Sequence, residues 1–531
     1  MFGYAMNLMS CAVSMETYDQ VMKSLVAILV LIHAVHSAKI LGIFPTPSFS
    51  HQIVFHGLMK DLAARGHELL ILTPDPFKTD NPNVTQIDLH SSYKIFRETF
   101  NFVYFKNSDM DETDLFDYFV QSMMKYMDEQ MSHPEVKKLI AEKDKHHFDV
   151  IIMEGLLNYP MLAFAEIFDA PVIEISSLDT VAENHKWMGN EANPIVHPDI
   201  TLPFQSKRLT FYERWTTLRN AFKRSISIPK EFAEMEKFVK KHFPIENPDI
   251  NKLRSRVEFL MVNAHPALGY IRPILPNTIQ LGFMHIEPPK PLQDGPLKTF
   301  VDNSKHGVVY MSFGSNVQST DLGPEAQKVF LNVFRNLKYD FIWKFESDDL
   351  PDKPKNVMIQ KWLPQADLLA HPKIKLFITQ GGQQSMEETI DRAVPIIVIP
   401  FVGDQNSNAR KIEKLKIGKH LELDTLTEDS MKEAINEMLK PKYKENVQKL
   451  RDLIYDEPMT TREKAVWWTE YVIRHKGAKH FYYHGKEVPF YEKFFLDFAA
   501  IGIIVALIVI KLCLVVFSKF KGTKNQKRKS E

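Results

Sequence analysis

Short apolar runs of strand length alternate along this chain with segments whose apolar positions recur every three to four residues. "KILGIFP" (39–45) is the first such run. In the following "SHQIVFHGLMKDLAARGHELLILTP", Ile53, Leu58, Leu62 and Ala63 give one helical face, Gly66 stops the helix, and "ELLILT" is the next strand. Strand, helix and strand in that order form the unit of a parallel sheet. The rhythm returns at "FDVIIME" (148–154), a helical "MLAFAEIF" and the strand "PVIEIS". Residues 179–245 break it and predict helical insertions. After the proline-rich "EPPKPLQDGPLK" (287–298) the alternation restarts with "GVVYMSF", a helix near 325–337, "FIWKF", "VMIQKW", a strand at 375–379 and "PIIVIPF". The expected class is α/β, with two facing, doubly wound Rossmann-like domains at 39–286 and 299–475 joined by the linker 287–298.

Two apolar stretches do not fit that rhythm. "MKSLVAILVLIHAVHSAKI", from Met22, has a lysine, an apolar run and then small residues, the layout of a secretory signal peptide. Residues 1–38 are therefore expected to be an upstream extension plus that signal. "FAAIGIIVALIVIKLCLVVF" is long enough to cross a bilayer, giving an expected transmembrane helix at 498–518 after a juxtamembrane segment 476–497. The basic tail 519–531 belongs in the cytosol by the positive-inside rule, so the body is lumenal or extracellular and the topology single-pass type I. The Lys527-x-Lys529-x-x ending is similar to the dilysine signal of endoplasmic reticulum membrane proteins.

Composition narrows the function. Lys+Arg and Asp+Glu number 66 each, so no net field recruits nucleic acid. Both cysteines, Cys11 and Cys513, lie outside the body, which excludes disulfides, thiol catalysis and Cys–zinc sites there. Asn83-Val84-Thr85 is a glycosylation sequon.

Ligands of open parallel sheets sit beyond the carboxyl ends of strands. Three such loops gather in the second half: "SFGS", "QGGQQS" and "PFVGDQ". Gly381 and Gly382 remove side chains where backbone N–H groups and a helix N-terminus can meet a diphosphate, and Ser385 can donate to the same oxygens. Glu388, one turn deeper, suits a vicinal diol such as ribose. Trp362 offers a plate for a base, its alternative being a core aromatic. The stretch lacks the lysine of a P-loop.

The order and intervals of "WLPQADLLAH", "FITQGGQQSMEE" and "VPIIVIPFVGDQ" resemble the signature of the UDP-glycosyltransferases, in particular the membrane-bound animal enzymes of the insect branch. The resemblance implies the GT-B fold, with the donor in the C-terminal domain. It implies that Trp362 stacks on uracil with Gln365 beside it, that Ser315, Gly382, Gln384 and Ser385 surround the diphosphate, that Glu388 holds the ribose, and that Asp404 and Gln405 bind the sugar. Gln380 stands where many relatives have a histidine against the diphosphate; a neutral donor stabilises the leaving group less.

For the chemistry, "SFSHQ" puts His51 at the start of a helix, which disfavours the imidazolium and keeps the ring able to accept a proton. Glu154, ending a strand at the same crevice, can fix its tautomer. The resemblance assigns base and partner roles to these positions, with an aspartate in relatives where this chain has Glu154. The alternative for each is a satisfied polar residue at a strand end. Asp109-x-Asp111 reads as a solvated acidic loop, and neither a metal nor another cofactor is expected. Leu115, Phe116, Phe119, Met123, Met124 and Met127 read as core packing, or as a wall for apolar acceptors.

The expected activity is inverting transfer of a hexose from a UDP-sugar, UDP-glucose favoured, to a small lipophilic alcohol or phenol at the endoplasmic reticulum membrane, a conjugating or detoxifying chemistry. Expected partners are the UDP-sugar, the acceptor and membrane lipid, with a homo-oligomer left open. Alternatives are glucuronosyl transfer and a catalytically weak UDP- or lipid-binding relative. A nicotinamide-dependent oxidoreductase is disfavoured because no G-x-G-x-x-G follows the first strand.

Overall fold

The computed structural model describes residues 37–108, 110–202, 208–269 and 271–527. The signal-peptide reading, Asp109 and the last residues of the dilysine tail lie outside them. Chain contacts divide the protein into a compact body ending at Phe481 and a separate C-terminal unit from Tyr482.

The body holds two all-parallel sheets. The first contains β1 (Lys39–Ile43), β2 (Glu68–Thr73), β3 (Val84–Asp88), β4 (Val150–Glu154), β5 (Val172–Ser176), β6 (Val257–Val262) and β7 (Thr278–Gln280), in the order β3-β2-β1-β4-β5-β6-β7. The second contains β8 (Val308–Ser312), β9 (Asp340–Lys344), β10 (Val357–Gln360), β11 (Ile374–Thr379), β12 (Ile396–Val398) and β13 (Gly418–His420), in the order β10-β9-β8-β11-β12-β13. Central strands are buried on both faces, which is why they read as continuous apolar runs. In each sheet the strand order reverses once, between β1 and β4 and between β8 and β11, and a crevice opens at each reversal.

Six helices form or brace the crevices and the surfaces around them: α1 (Phe49–Ala64), α2 (Glu112–Ser132), α3 (Phe211–His242), α4 (Gln383–Asp391), α5 (Gln405–Lys414) and α6 (Thr461–Arg474). Gly66, at φ +91°, turns the chain from α1 into β2 as its position predicts. Met123 and Met127 of α2 are fully buried in the first core, and Leu115, Phe116, Phe119 and Met124 pack against its edge. The helical insertion is α3, started by a Thr210–Glu213 capping box. The "MLAFAEIF" stretch differs from expectation: a 3-10 turn, Tyr159–Leu162, carries Pro160 and leaves only Ala163–Phe168 α-helical. The linker is also shorter than its proline content suggests, because Pro296 starts the helix Pro296–Asn303.

Helix α6 follows the second sheet in sequence but packs on the first. Ala465, Val466 and Val472 join the core under α1, Trp468 stacks on Phe259 of β6 at 4.9 Å, and Arg462 holds Asp61 of α1 at 2.6 Å. The chain thus crosses between domains twice, at the linker and just before α6.

Within the C-terminal unit a single helix spans Leu496–Lys527, and its part Leu496–Lys519 is apolar and long enough to cross a membrane.

Candidate active site

The residues expected to bind a UDP-sugar gather at the β8/β11 reversal. Gly381 adopts φ +87°, and a Cβ there would stand 2.4 Å from Val398 Cγ1, so only glycine fits. Gly382 is the N-cap of α4 and supplies no capping side chain, which leaves the first-turn N–H groups directed beyond the strand ends. Ser385, Glu388 and Gln365 are tied together: Gln365 Nε2 donates to Ser385 Oγ (2.9 Å) and Glu388 Oε2 (2.7 Å), while Tyr310 Oη donates to Gln365 Oε1 (3.0 Å). Burial raises the Glu388 carboxyl to about 7 despite the Gln365 hydrogen bond.

These groups line one cavity of about 360 Å³, together with Ser315, Trp362, Gln380, Gly382, Gln384, Lys344 and His285 and, from the first domain, Phe49, Ser50 and His56. Trp362 is 57% exposed, which excludes the core-aromatic alternative. Its ring meets Phe49 edge-on at 5.1 Å, with Lys344 Nζ 5.9 Å from its centroid. The Ser315 hydroxyl is buried and has no hydrogen-bond partner among the described residues. Gln380 Oε1 accepts from Thr379 (2.7 Å), and its amide packs so closely on Gly314 that a Cβ there would come within 2.2 Å. Gln384 reaches across the cleft and donates to the Ser177 carbonyl (2.7 Å).

Asp404 and Gln405 begin α5 and lie outside the wall of this cavity. Gln405 Oε1 accepts from the Phe401 N–H (2.8 Å), which leaves its amino group unused by that loop. Asn408 braces Asp404 (2.7 Å) and the Gly381 carbonyl (3.0 Å). Burial raises the Asp404 carboxyl, partly offset by Lys411 and by the Asn408 hydrogen bond.

On the first domain, the β1/β4 reversal brings His51 and Glu154 together. His51 Nδ1 lies 2.9 Å from Glu154 Oε1 and 2.8 Å from Ser177 Oγ, and Glu154 Oε2 accepts the Thr46 N–H at 3.1 Å. Glu154 is fully buried, while His51 retains some exposure. Nδ1 is thus occupied and Nε2 is the ring nitrogen left without a hydrogen bond among the described residues. Asn316, next to Ser315, donates to Ser48 Oγ at 3.0 Å and links the two reversal points.

Asp111 has another use: it caps α2 through the N–H groups of Thr113 and Asp114 and pairs with Lys223. Asn83 is half-buried at the entry to the edge strand β3. Sequence reasoning missed Ser177, Lys344 and His285. Ser177 and Lys344 stand at strand ends, where the crevice rule could have found them. His285 follows β7 on a loop that carries no such signal. It is buried among Glu387 (3.4 Å) and Glu388 (3.8 Å), with neither ring nitrogen hydrogen-bonded among the described residues, and burial lowers it to about 4. Glu387, fully buried beneath Asn263 and Gln383, is raised to about 8 by the same cause.

Residues 38–528 match the family model described as "UDP-glucoronosyl and UDP-glucosyl transferase". Among curated proteins, the chain is 33% identical to the ecdysteroid UDP-glucosyltransferase of Mamestra brassicae nuclear polyhedrosis virus, over 86% of this chain and 88% of that one. It is 30% identical to UDP-glycosyltransferase UGT5 of Dactylopius coccus, over 93% and 96%. Among solved structures it is similar to the glycotransferase of kitacinnamycin (TM-score 0.55, 18% identity, 82% of this chain and 98% of that one). A UDP-glucosyltransferase from Polygonum tinctorium gives a TM-score of 0.54 at 16% identity, over 83% and 100%. The fold they share is GT-B.

Proposed function

Because the chain belongs to the UDP-glycosyltransferase family and so transfers sugar from a UDP-sugar to an acceptor, we propose that the sugar is glucose, that the acceptor is a small lipophilic alcohol or phenol, and that His51 is the general base. The observation that carries the base assignment is the His51–Glu154 contact at the β1/β4 reversal, which Asn316 to Ser48 ties to the β8/β11 reversal.

Glu154 holds the proton on Nδ1 and leaves Nε2 to take one from the acceptor hydroxyl; it then stabilises the imidazolium that forms. The acceptor oxygen attacks the anomeric carbon opposite the departing UDP, so the C–O bond to phosphate breaks with inversion. Charge developing on the diphosphate is met by the first-turn amides of α4, by Ser385 and Ser315, and by the Gln380 amide. Trp362 stacks on uracil, Gln365 and Glu388 take the ribose, and Asp404 and Gln405 take the sugar hydroxyls. Gln384, already committed to Ser177, contributes at the diphosphate through its position in the first turn. No metal enters this scheme. The names of the viral relatives, ecdysteroid UDP-glucosyltransferases, support both glucose and a lipophilic, steroid-like acceptor.

UDP-glucuronate is the second reading, favoured by Lys411, a cation beside Asp404. Asp179 and Asp404 already face that ammonium with carboxyl groups, which leaves little for a sugar carboxylate and favours glucose. On the same reading the body lies in the endoplasmic reticulum lumen, behind a cleaved signal and anchored by the C-terminal helix, where Asn83 would carry a glycan.

The test is acceptor-dependent UDP release by membranes bearing wild type or His51→Ala, given UDP-glucose or UDP-glucuronate and a panel of phenols and alcohols. Release with UDP-glucose, abolished by the substitution, is expected. Release with UDP-glucuronate alone would replace the donor. Silence with both, from protein that binds UDP, would make this a non-catalytic binder.

A further inference from the structure

The first half of α3 is inside out. Phe211, Tyr212, Trp215, Leu218, Phe222 and Ile226 are each at least half exposed. At 3.6 residues per turn they fall within an arc of about 120° on one face. The opposite face, turned to the protein, is polar: Thr217 and Asn220 are buried, and Arg224 is ion-paired with Asp117, Glu183 and Glu231. Past Pro229 the same helix reverts to the ordinary arrangement and buries Met235, Phe238 and Val239. Isolated exposed apolar residues are normal, but a continuous stripe of this size marks a surface that is covered in use.

We propose that this stripe docks on the surface of a lipid bilayer. The margins fit that occupant: Arg214 flanks one side of the arc and Lys223 the other, with Arg219 inside it. Arg219 and Lys223 also pair with Asp111 but stay 45% and 40% exposed, so these long cationic side chains can meet head groups while their stems lie on acyl chains. Trp215 and Tyr212 are the aromatic types that settle at a membrane interface. The chain also carries a helix able to cross a bilayer, Leu496–Lys519, so a membrane is available to the body without a separate partner. Low net helix hydrophobicity with one apolar face, rather than an apolar circumference, is the pattern of a helix lying in the interface plane. Membrane docking of α3 depends on neither the donor nor the acceptor assignment.

The body contains no cysteine, which makes the test direct. In the full chain with Cys11→Ser and Cys513→Ser, an environment-sensitive dye is attached at Leu218→Cys or at Phe222→Cys. The comparison site is Asp294→Cys, fully exposed on the linker. Each protein is reconstituted in phosphatidylcholine vesicles with or without brominated acyl chains, and UDP binding verifies its fold. Blue-shifted emission at 218 and 222, quenched severalfold more than at 294 by brominated lipid, is expected. Equal quenching at all three sites would overturn the proposal. So would blue-shifted emission that brominated lipid leaves unquenched and that dilution in detergent reverses, which would assign the stripe to a second copy of the chain.

Discussion

Trp362, Gly381 and Glu388 each expose a different physical dependence. Losing the indole plate in Trp362→Ala removes base stacking worth about 1–3 kcal/mol. UDP affinity measured by calorimetry should therefore fall roughly tenfold, and equal affinity in wild type and variant would reject the plate. Gly381→Ala combines a left-handed backbone with a Cβ 2.4 Å from Val398, so the loop must move and UDP binding should be lost while the rest of the fold persists. Glu388, raised to about 7 by burial, is protonated below that value in the unliganded protein. A ribose diol needs the carboxylate as acceptor, so UDP affinity should rise as pH increases through 7, and Glu388→Gln should abolish that dependence. Glu387 bears on stability, as Glu388 does by the same linkage up to about pH 7. The folded value of Glu387, about 8, lies above its ordinary 4.5, so its contribution is full below 4.5 and lost as pH rises through 8. Thermal unfolding of the unliganded protein should shift to lower temperature between pH 6.5 and 8, and Glu387→Gln should flatten that slope. The Ser385–Glu388 pairing was legible because one helix sets its spacing, whereas Gln365 comes from another helix, Gln365–Leu369, and its bonds to both were not foreseen. His285 was not legible, because the fold brings it from a loop about a hundred residues upstream of Glu387 and Glu388 and no local pattern marks it.

At the scale of elements, α6 is the instructive case. Its periodicity identifies a helix, but periodicity names no partner, and chain order groups it with the second sheet. The packing of Ala465, Val466 and Val472 under α1 assigns it to the first. Val472 is fully buried, and its truncation to alanine removes two methyl groups and leaves a small void, costing about 2 kcal/mol. Urea denaturation of Val472→Ala should register that loss, with donor affinity unchanged because the second sheet is untouched. The 3-10 turn at Tyr159–Leu162 was hidden because a tightened first turn carries the same apolar pattern as the α-helix it leads into. The central strands β1, β4, β5, β8 and β11 were legible, since burial on both faces leaves an uninterrupted apolar run; β6 and the short, partly polar strands β3, β7 and β13 were not read.

For the whole molecule, the two reversal points are separate half-sites held in register by bonds between domains: Asn316 to Ser48, Gln384 to Ser177, and Asn263 to Glu387. Lesions in one half should leave the other working. His51→Ala is expected to lower turnover by roughly 10²–10⁴ with UDP affinity kept, and loss of UDP binding in that variant would reject the division of labour. The twofold crossing of the chain has a consequence for inheritance. Recombination within the linker, at residues 287–295, would exchange the first-sheet half of such a gene for that of a relative while retaining the ancestral α6. The borrowed half would then meet a foreign strap, with Asp61 and Phe259 facing an Arg462 and Trp468 they did not evolve beside. Productive shuffling of the first-sheet half therefore requires two exchanges, one at the linker and one before Thr461, and chimeras made with a single junction should carry the instability of that mismatch.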